Sequence, residues 1–281
     1  MSRHTSFRIG GPARRMAYPG DRKTLVQLLT LARDAGARPL VIGRGTNLLV
    51  SDDGLDRLVI ETSSAMNGLE LAGEGVIVAD AGVSLTRLAE FACRNGLTGL
   101  EFAHGIPGSL GGAVCMNAGA YGGEMKQVLR SVTAFVPEKG VRRLEAEELK
   151  LGYRHSLFTE HPDAVVLGAE ILLTPGQETE IRARMNELLQ RRKTSQPLEF
   201  PSAGSTFKRP VGGYAGTMID QCGLKGLRVG GAEVSEKHAG FVINRGGATC
   251  ADVLGVIKAV QERVFERFGI QLEPEVRIIQ E

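Results

Sequence analysis

Positions 104–123 read HGIPGSLGGAVCMNAGAYGG, the most glycine-dense stretch of the chain. Glycine, alanine, serine and asparagine leave little side chain here to bury. Such backbone can turn tightly or approach another group closely, because few β-carbons stand in the way. Two glycine clusters, 105–112 and 119–123, share this one segment. A compact surface loop over a helix start would account for either cluster. The pair together favours a large, flat ligand with polar edges. Glycine totals 37 of 281 residues, above the usual share of about 7%, and the excess gathers in a few loops without an internal repeat.

A second loop raises the same question. Val41–Val50 reads VIGRGTNLLV, in which two apolar runs flank Gly43-Arg44-Gly45-Thr46-Asn47. It lacks the Lys-Ser/Thr ending of a phosphate-binding P-loop and the third glycine of a dinucleotide fingerprint. A strand, not a helix, follows it. A run of backbone N–H groups in such a loop can still form an anion-binding concavity. From these residues alone an ordinary hairpin turn reads better.

The chain length suggests two or three domains, and 42% hydrophobic residues supply their cores. A formal net charge of +2 excludes the strong electrostatics of nucleic-acid or membrane binders. Aromatics at 5%, with no Trp, argue against a base-stacking surface. Cys93, Cys115, Cys222 and Cys250 form no CxxC pair, so no metal site is expected, and their apolar neighbours suggest reduced, buried thiols. The opening MSRHTSFRIGGPARRM has no apolar signal-peptide core, and no apolar run approaches the roughly 20 residues of a membrane span. A soluble, cytoplasmic protein is expected.

Hydrophobic periodicity alternates helices and strands. Residues 24–35, 85–95, 178–192 and 251–268 carry helical stripes; the last comprises Val253, Ile257, Val260, Val264 and Phe268. Strands are expected at 40–42, 48–50, 58–60, 76–78, 132–136, 165–173, 241–243 and 276–279. Pro197 and Pro201 mark a boundary.

Three short stretches can carry chemistry. Arg154, in Tyr153-Arg154-His155-Ser156, can clamp a carboxylate in bidentate geometry, although an isolated arginine is more often a surface ion pair. Ser205, in Ser202-Ala203-Gly204-Ser205-Thr206-Phe207-Lys208, stands outside any Gly-x-Ser-x-Gly elbow. It can donate a proton from a dry, prearranged site, or it can simply cap a turn. Glu273, Glu275 and Arg277 close the chain, as a site or as a solvated terminal strand.

The order of these segments resembles the UDP-N-acetylenolpyruvoylglucosamine reductase family over nearly the whole chain. Thr5-Ser6-Phe7-Arg8-Ile9-Gly10-Gly11-Pro12-Ala13 is similar to its opening motif. The resemblance implies an α+β protein, with an FAD-binding fold of the vanillyl-alcohol-oxidase (PCMH) type made of two α/β subdomains, 1–62 and 63–195. A separate α+β substrate domain follows at 196–270, and a C-terminal strand, 271–281, returns to the FAD-binding region. Gly43, Arg44, Gly45, Thr46, Asn47 and Leu48 become the flavin pyrophosphate loop. Ala81 and Gly82 join the FAD contacts. So do Gly105, Ile106, Pro107, Gly108, Ser109, Gly111, Gly112 and Ala113, and then Asn117, Gly119 and Ala120.

The implied reaction uses NADPH to reduce FAD. The hydride then passes to the enolpyruvyl group of UDP-N-acetylglucosamine enolpyruvate, giving UDP-N-acetylmuramate for peptidoglycan. Arg154 would stabilise the enolate, Ser205 would protonate it, and Glu275 would act in protonated form or orient Arg154 or a water. Tyr153, Lys193, Lys208 and Arg277 are implied substrate contacts. Lys208 is also a candidate to stabilise the serine alkoxide, and Lys193, Lys208 and Arg209 to meet the diphosphate. The chain departs from longer relatives in having no tyrosine between Arg154 and Ser205, which matches the shorter family type without a tyrosine lid, and little precedes Thr5. A monomer acting on this one small substrate is expected, with no nucleic-acid or membrane partner. The rivals are an oxidase of the same fold, with His104 as a conceivable covalent flavin attachment, and a non-catalytic flavin binder.

Overall fold

The computed structural model describes residues 1–280. The chain forms two compact units. The first comprises Arg15–Arg44 and Arg57–Arg192; the second gathers Met1–Arg14, Gly45–Asp56 and the chain from Lys193 onward.

In the first unit, α1 (Arg22–Asp34) starts at Asp21, whose carboxylate accepts the Thr24 N–H at 2.7 Å. This satisfies one of the donors left over at a helix start. Its buried face, Leu25, Leu29 and Ala32, includes residues that pack with Ile60, Met66, Phe135, Val165 and Leu167. Five antiparallel strands follow in the order Gly140–Glu145, Leu129–Val136, Val165–Leu172, Val76–Asp80 and Leu69–Leu71. The central Val165–Leu172 is apolar at nearly every position because both of its faces are covered. Helix α2 (Leu85–Arg94) buries Leu85, Leu88, Ala89 and Ala92 in the adjoining core, each leucine contributing about 1.5–3 kcal/mol. Its N-cap is Ser84, which accepts the Arg87 N–H at 3.2 Å. Short helices α3 (Leu110–Cys115) and α4 (Leu157–Glu160) come next, and α5 (Glu178–Ser195) buries Ile181, Met185 and Leu188.

The second unit has a four-stranded antiparallel sheet ordered Ser202–Ser205, Phe241–Asn244, Ala232–Val234 and Arg228–Val229. Helices α6 (Ala215–Gln221) and α7 (Cys250–Phe268) belong to it. Thr249 and Asp252 exchange hydrogen bonds with each other's backbone N–H at 3.1 and 3.0 Å, closing a capping box. Gly269 ends α7 in a left-handed turn at φ 67°. Val253, Val256, Ile257, Val260 and Val264 are buried as the stripe requires, while Phe268 is only partly so. Phe7, Ile9 and Leu49 complete this core from the far end of the sequence. Leu48–Val50 and Arg277–Ile279 pair in parallel, Leu49 opposite Ile278.

The stretch 41–50 is therefore no hairpin. Leu40–Ile42 pairs in parallel with Leu55–Glu61, whereas Leu48–Val50 pairs with the C-terminal strand. Among the described residues no helix is long and apolar enough to cross a membrane.

Candidate active site and cofactor loop

In the first unit, three of the glycine-bearing segments converge. A β-carbon on Gly43 would overlap the Ser109 hydroxyl, so the Ser109 side chain fills the space beside Gly43. Ser63 Oγ donates to Gly43 O at 3.2 Å. The Gly111 N–H donates to Ala81 O and the Leu110 N–H to Val83 O, each at 2.8 Å, while Ser84 and Ser109 form a lone antiparallel bridge. Gly82 is seated against the carbonyls of Thr62 and Met66. Gly43, Ala81, Gly82, Gly108, Ser109 and Gly111 thus form one neighbourhood. Ala113 turns its methyl group into the core, leaving only its backbone for a ligand. Ser109 is buried and opens α3, yet its hydroxyl does not cap the helix. Gly105 lies 3.0 Å, by its would-be β-carbon, from Arg192 Nε, beside Ile106 and the exposed Pro107. Sequence reasoning did not single out Arg22. It donates to Asp80 at 2.6 Å and to Ala79 O at 3.2 Å, fixing the strand end just before Ala81.

Asn117 has a structural part. It is buried, sits at φ 40°, and its Nδ2 donates to Glu124 and to Gly152 O, both at 3.0 Å. Its Oδ1 accepts the Lys126 N–H at 2.9 Å. The side chain therefore ties the hairpin of Gly119–Ala120 and Gly123–Glu124 to the turn that bears Arg154. Gly152 and His155 exchange backbone hydrogen bonds at 3.1 and 3.2 Å, leaving Tyr153 and Arg154 as the two residues of the tip. Arg154 adopts φ 53°, a left-handed backbone where such turns favour glycine. Its guanidinium stacks 5.1 Å from the centroid of the exposed Tyr153 ring. A strained arginine at a tip that glycine would fill more easily points to a function for the side chain.

In the second unit, Ser202 pairs with Ile243 and Ser205 with Phe241, so two residues face one across a β-bulge. Gly204 supplies the left-handed turn there, at φ 78°, and Ser205 emerges exposed. Thr206, which the sequence did not single out, is buried and fully employed. Its N–H donates to Gly240 O at 2.8 Å, its Oγ1 accepts the Val242 N–H at 3.0 Å, and its carbonyl accepts the Glu275 N–H at 2.8 Å. Glu275 therefore lies across from the residue that follows Ser205. Asn47 Nδ2 donates to Glu275 O at 3.1 Å, and Asn47 O accepts the Arg277 N–H at 2.9 Å. Lys208 is bonded to Glu273 at 3.0 Å, in a ladder that also pairs Phe207 with Pro274. Arg277 is exposed, and Lys193 O accepts from Lys237 Nζ at 2.7 Å. Gly45 is backed against His4 O, and its own carbonyl accepts the Ser6 N–H at 3.2 Å. Leu48 is buried in its strand.

Residues 13–144 match the family described as FAD binding domain, and residues 196–279 match the C-terminal domain of UDP-N-acetylenolpyruvoylglucosamine reductase. A reductase of that name from Caldanaerobacter subterraneus subsp. tengcongensis is 50% identical, over 100% of this chain and 92% of its own length. The chain belongs to the UDP-N-acetylenolpyruvoylglucosamine reductase family. The Lactiplantibacillus plantarum reductase is 47% identical over 100% of this chain and 92% of its own. The crystal structure of the Thermus caldophilus reductase superposes with a TM-score of 0.85 at 37% identity, covering 99% of this chain and 96% of that one.

The α+β class with an FAD-binding fold holds for this member of the family, and FAD is its cofactor. The residues present fit the group. Among the described residues, no backbone N–H from position 43 to position 47 donates to a backbone carbonyl. Gly43 and Gly45 each leave the space of a β-carbon to the protein itself, to the Ser109 hydroxyl and to His4 O respectively. Such a run of N–H groups suits a pyrophosphate. His104 Nε2 is 3.1 Å from Glu90, and its Nδ1 is buried without a hydrogen-bond partner among the described residues.

Proposed function

We propose that the chain carries out NADPH-dependent, FAD-mediated reduction of UDP-N-acetylglucosamine enolpyruvate to UDP-N-acetylmuramate, with Arg154, Ser205 and Glu275 as its catalytic residues. When bound, FAD takes a hydride from NADPH and supplies one to the terminal carbon of the enolpyruvyl double bond. The remaining work belongs to the side chains. Charge builds at the adjacent carbon and spreads into the carboxylate. Arg154, held on a rigid two-residue tip, is a fixed cation for that developing oxyanion. The Ser205 hydroxyl donates the proton that completes the lactyl ether. Glu275 is read as acting in protonated form, or as orienting Arg154 or a water.

The observation that carries this reading is the short ladder in which Glu275 pairs with Thr206, directly beside the bulge that exposes Ser205. A hydroxyl is a weak acid in water, and the ladder ties the backbone of Glu275 to the segment that carries Ser205. Tyr153, Lys193, Lys208 and Arg277 are read as substrate contacts. Residues 1–62 and 63–195 are read as the FAD-binding part, 196–270 as the substrate part and 271–281 as a returning strand. The enzyme serves cell-wall synthesis, and through it cell shape and division; we read it as a cytoplasmic monomer.

Anaerobic visible spectra test the assignment. The flavin bands should bleach with NADPH and return on adding UDP-N-acetylglucosamine enolpyruvate without oxygen. Return only with oxygen would make the protein an oxidase. Absence of flavin bands after incubation with FAD would overturn the cofactor loop.

A further inference from the structure

We propose that Asn47 is a positioning residue for Glu275, so that cofactor bound along residues 45–47 fixes the strand bearing this carboxyl group. The inference rests on the reading of that loop as the cofactor's and of Glu275 as catalytic. Asn47 engages the C-terminal strand twice: its side-chain Nδ2 holds Glu275 O at 3.1 Å, and its backbone carbonyl holds the Arg277 N–H at 2.9 Å. From the other side, Thr206 O holds the Glu275 N–H at 2.8 Å. Both polar groups of the Glu275 backbone are therefore pinned. One is fixed by the strand of Ser205 and the other by the loop.

The chemistry of Asn47 is specific. Only its amide N–H can face the Glu275 carbonyl; an aspartate there would present oxygen to oxygen. The Asn47 backbone N–H makes no bond to a backbone carbonyl among the described residues, so the residue has its main-chain donor for a ligand and its side-chain donor for Glu275. Ser6 ties the same loop elsewhere: its N–H donates to Gly45 O at 3.2 Å and its Oγ to Ser202 O at 2.6 Å. Loop order set by the cofactor is thereby passed along separate hydrogen bonds to Glu275 and to the strand of Ser205. A catalytic group displaced by about 1 Å can lose about a hundredfold in rate, so such ties matter to turnover.

Hydrogen exchange on the full chain, stripped of FAD and then reloaded, tests the coupling. In the unaltered protein, FAD should slow exchange across residues 275–279 by about tenfold or more. In Asn47→Ala and Asn47→Asp, which lose only the side-chain bond to Glu275, that slowing should largely vanish at residues 275–276, while 277–279, still paired by backbone, and residues 104–112 keep theirs, showing a folded, FAD-loaded protein. Ser6→Ala should retain the slowing at 275–279. In Asn47→Ala, flavin reoxidation by the enolpyruvyl substrate should fall about tenfold further than flavin reduction by NADPH. FAD uptake without slower exchange at 275–279, slowing at 275–276 that survives in Asn47→Ala, or equal loss in both half-reactions would each overturn the coupling alone. A chain that takes up no FAD would overturn the cofactor reading and the coupling with it.

Discussion

Arg154→Gly separates a catalytic arginine from a structural one. At φ 53° a residue with a β-carbon carries about 1–2 kcal/mol of strain that glycine lacks. Glycine returns about 0.5–1 kcal/mol of that through its freer unfolded chain. Loss of the stacking on Tyr153, at 5.1 Å and exposed, removes about 0.5–1 kcal/mol more. These effects nearly cancel, so the thermal midpoint should move by no more than about 2–4 °C. The Asn117 bond to Gly152 O, and the paired bonds of Gly152 with His155, do not involve the arginine side chain and should keep the turn closed. Removing a fixed cation from a developing oxyanion should cost about 2.7–4 kcal/mol, or 10²–10³ in rate. Stopped-flow absorbance at the flavin band, run separately for reduction by NADPH and reoxidation by substrate, should place that loss in reoxidation. A midpoint lowered by more than about 5 °C, or a departed flavin, would assign the arginine a structural role. Reoxidation within about threefold of the unaltered enzyme would refute the electrostatic argument outright.

Further outcomes follow from the same geometry. Gly43→Ala should weaken FAD binding by about tenfold or more in a fluorescence titration, because its methyl group meets the Ser109 hydroxyl, and adding Ser109→Gly should restore part of the loss. Ser205→Ala should slow reoxidation by about 10²–10⁴ while sparing reduction; equal loss in both halves would exclude a proton donor. Burial holds the His238 imidazole below its ordinary 6.5, and its Nδ1 accepts the Gly240 N–H at 3.1 Å. The unfolded chain therefore takes up a proton near 6.5 that the folded chain refuses, and this site's contribution to stability falls as the pH drops through that value. Melting curves across this range should show the loss, and His238→Phe should flatten it.

The sequence made some features plain because they are local. The stripe of α7 is spelled out at helical spacing between Val253 and Phe268. Gly82 stands where a β-carbon would run into the carbonyls of Thr62 and Met66. Other features are settled only by the fold. Asn117 reads as a ligand contact by its neighbours, yet its side chain is taken up by Glu124, Gly152 and Lys126, which periodicity does not pair with it. Lys208 reads as a cation near Ser205, but the ladder brings Glu273 to it. Arg154 gives no local sign of its left-handed turn, since statistics would put glycine there. Thr206 leaves no mark in the sequence, because a single buried threonine makes no pattern.

The second unit is stitched from both ends of the chain, and this bears on the order in which it can be made. Phe7, Ile9 and Leu49 emerge from the ribosome early, yet the valines of α7 that share their core come near the end, and Leu48–Val50 finds its partner only in Arg277–Ile279. Such long-range closure is slow, because the intervening loop must be drawn in before any contact repays it. Nascent chains would carry these apolar residues exposed until α7 has been made, a natural client for a holding chaperone. For the same reason a fragment starting at residue 196 would lack Phe7, Ile9 and Leu49, and should fail to fold by itself.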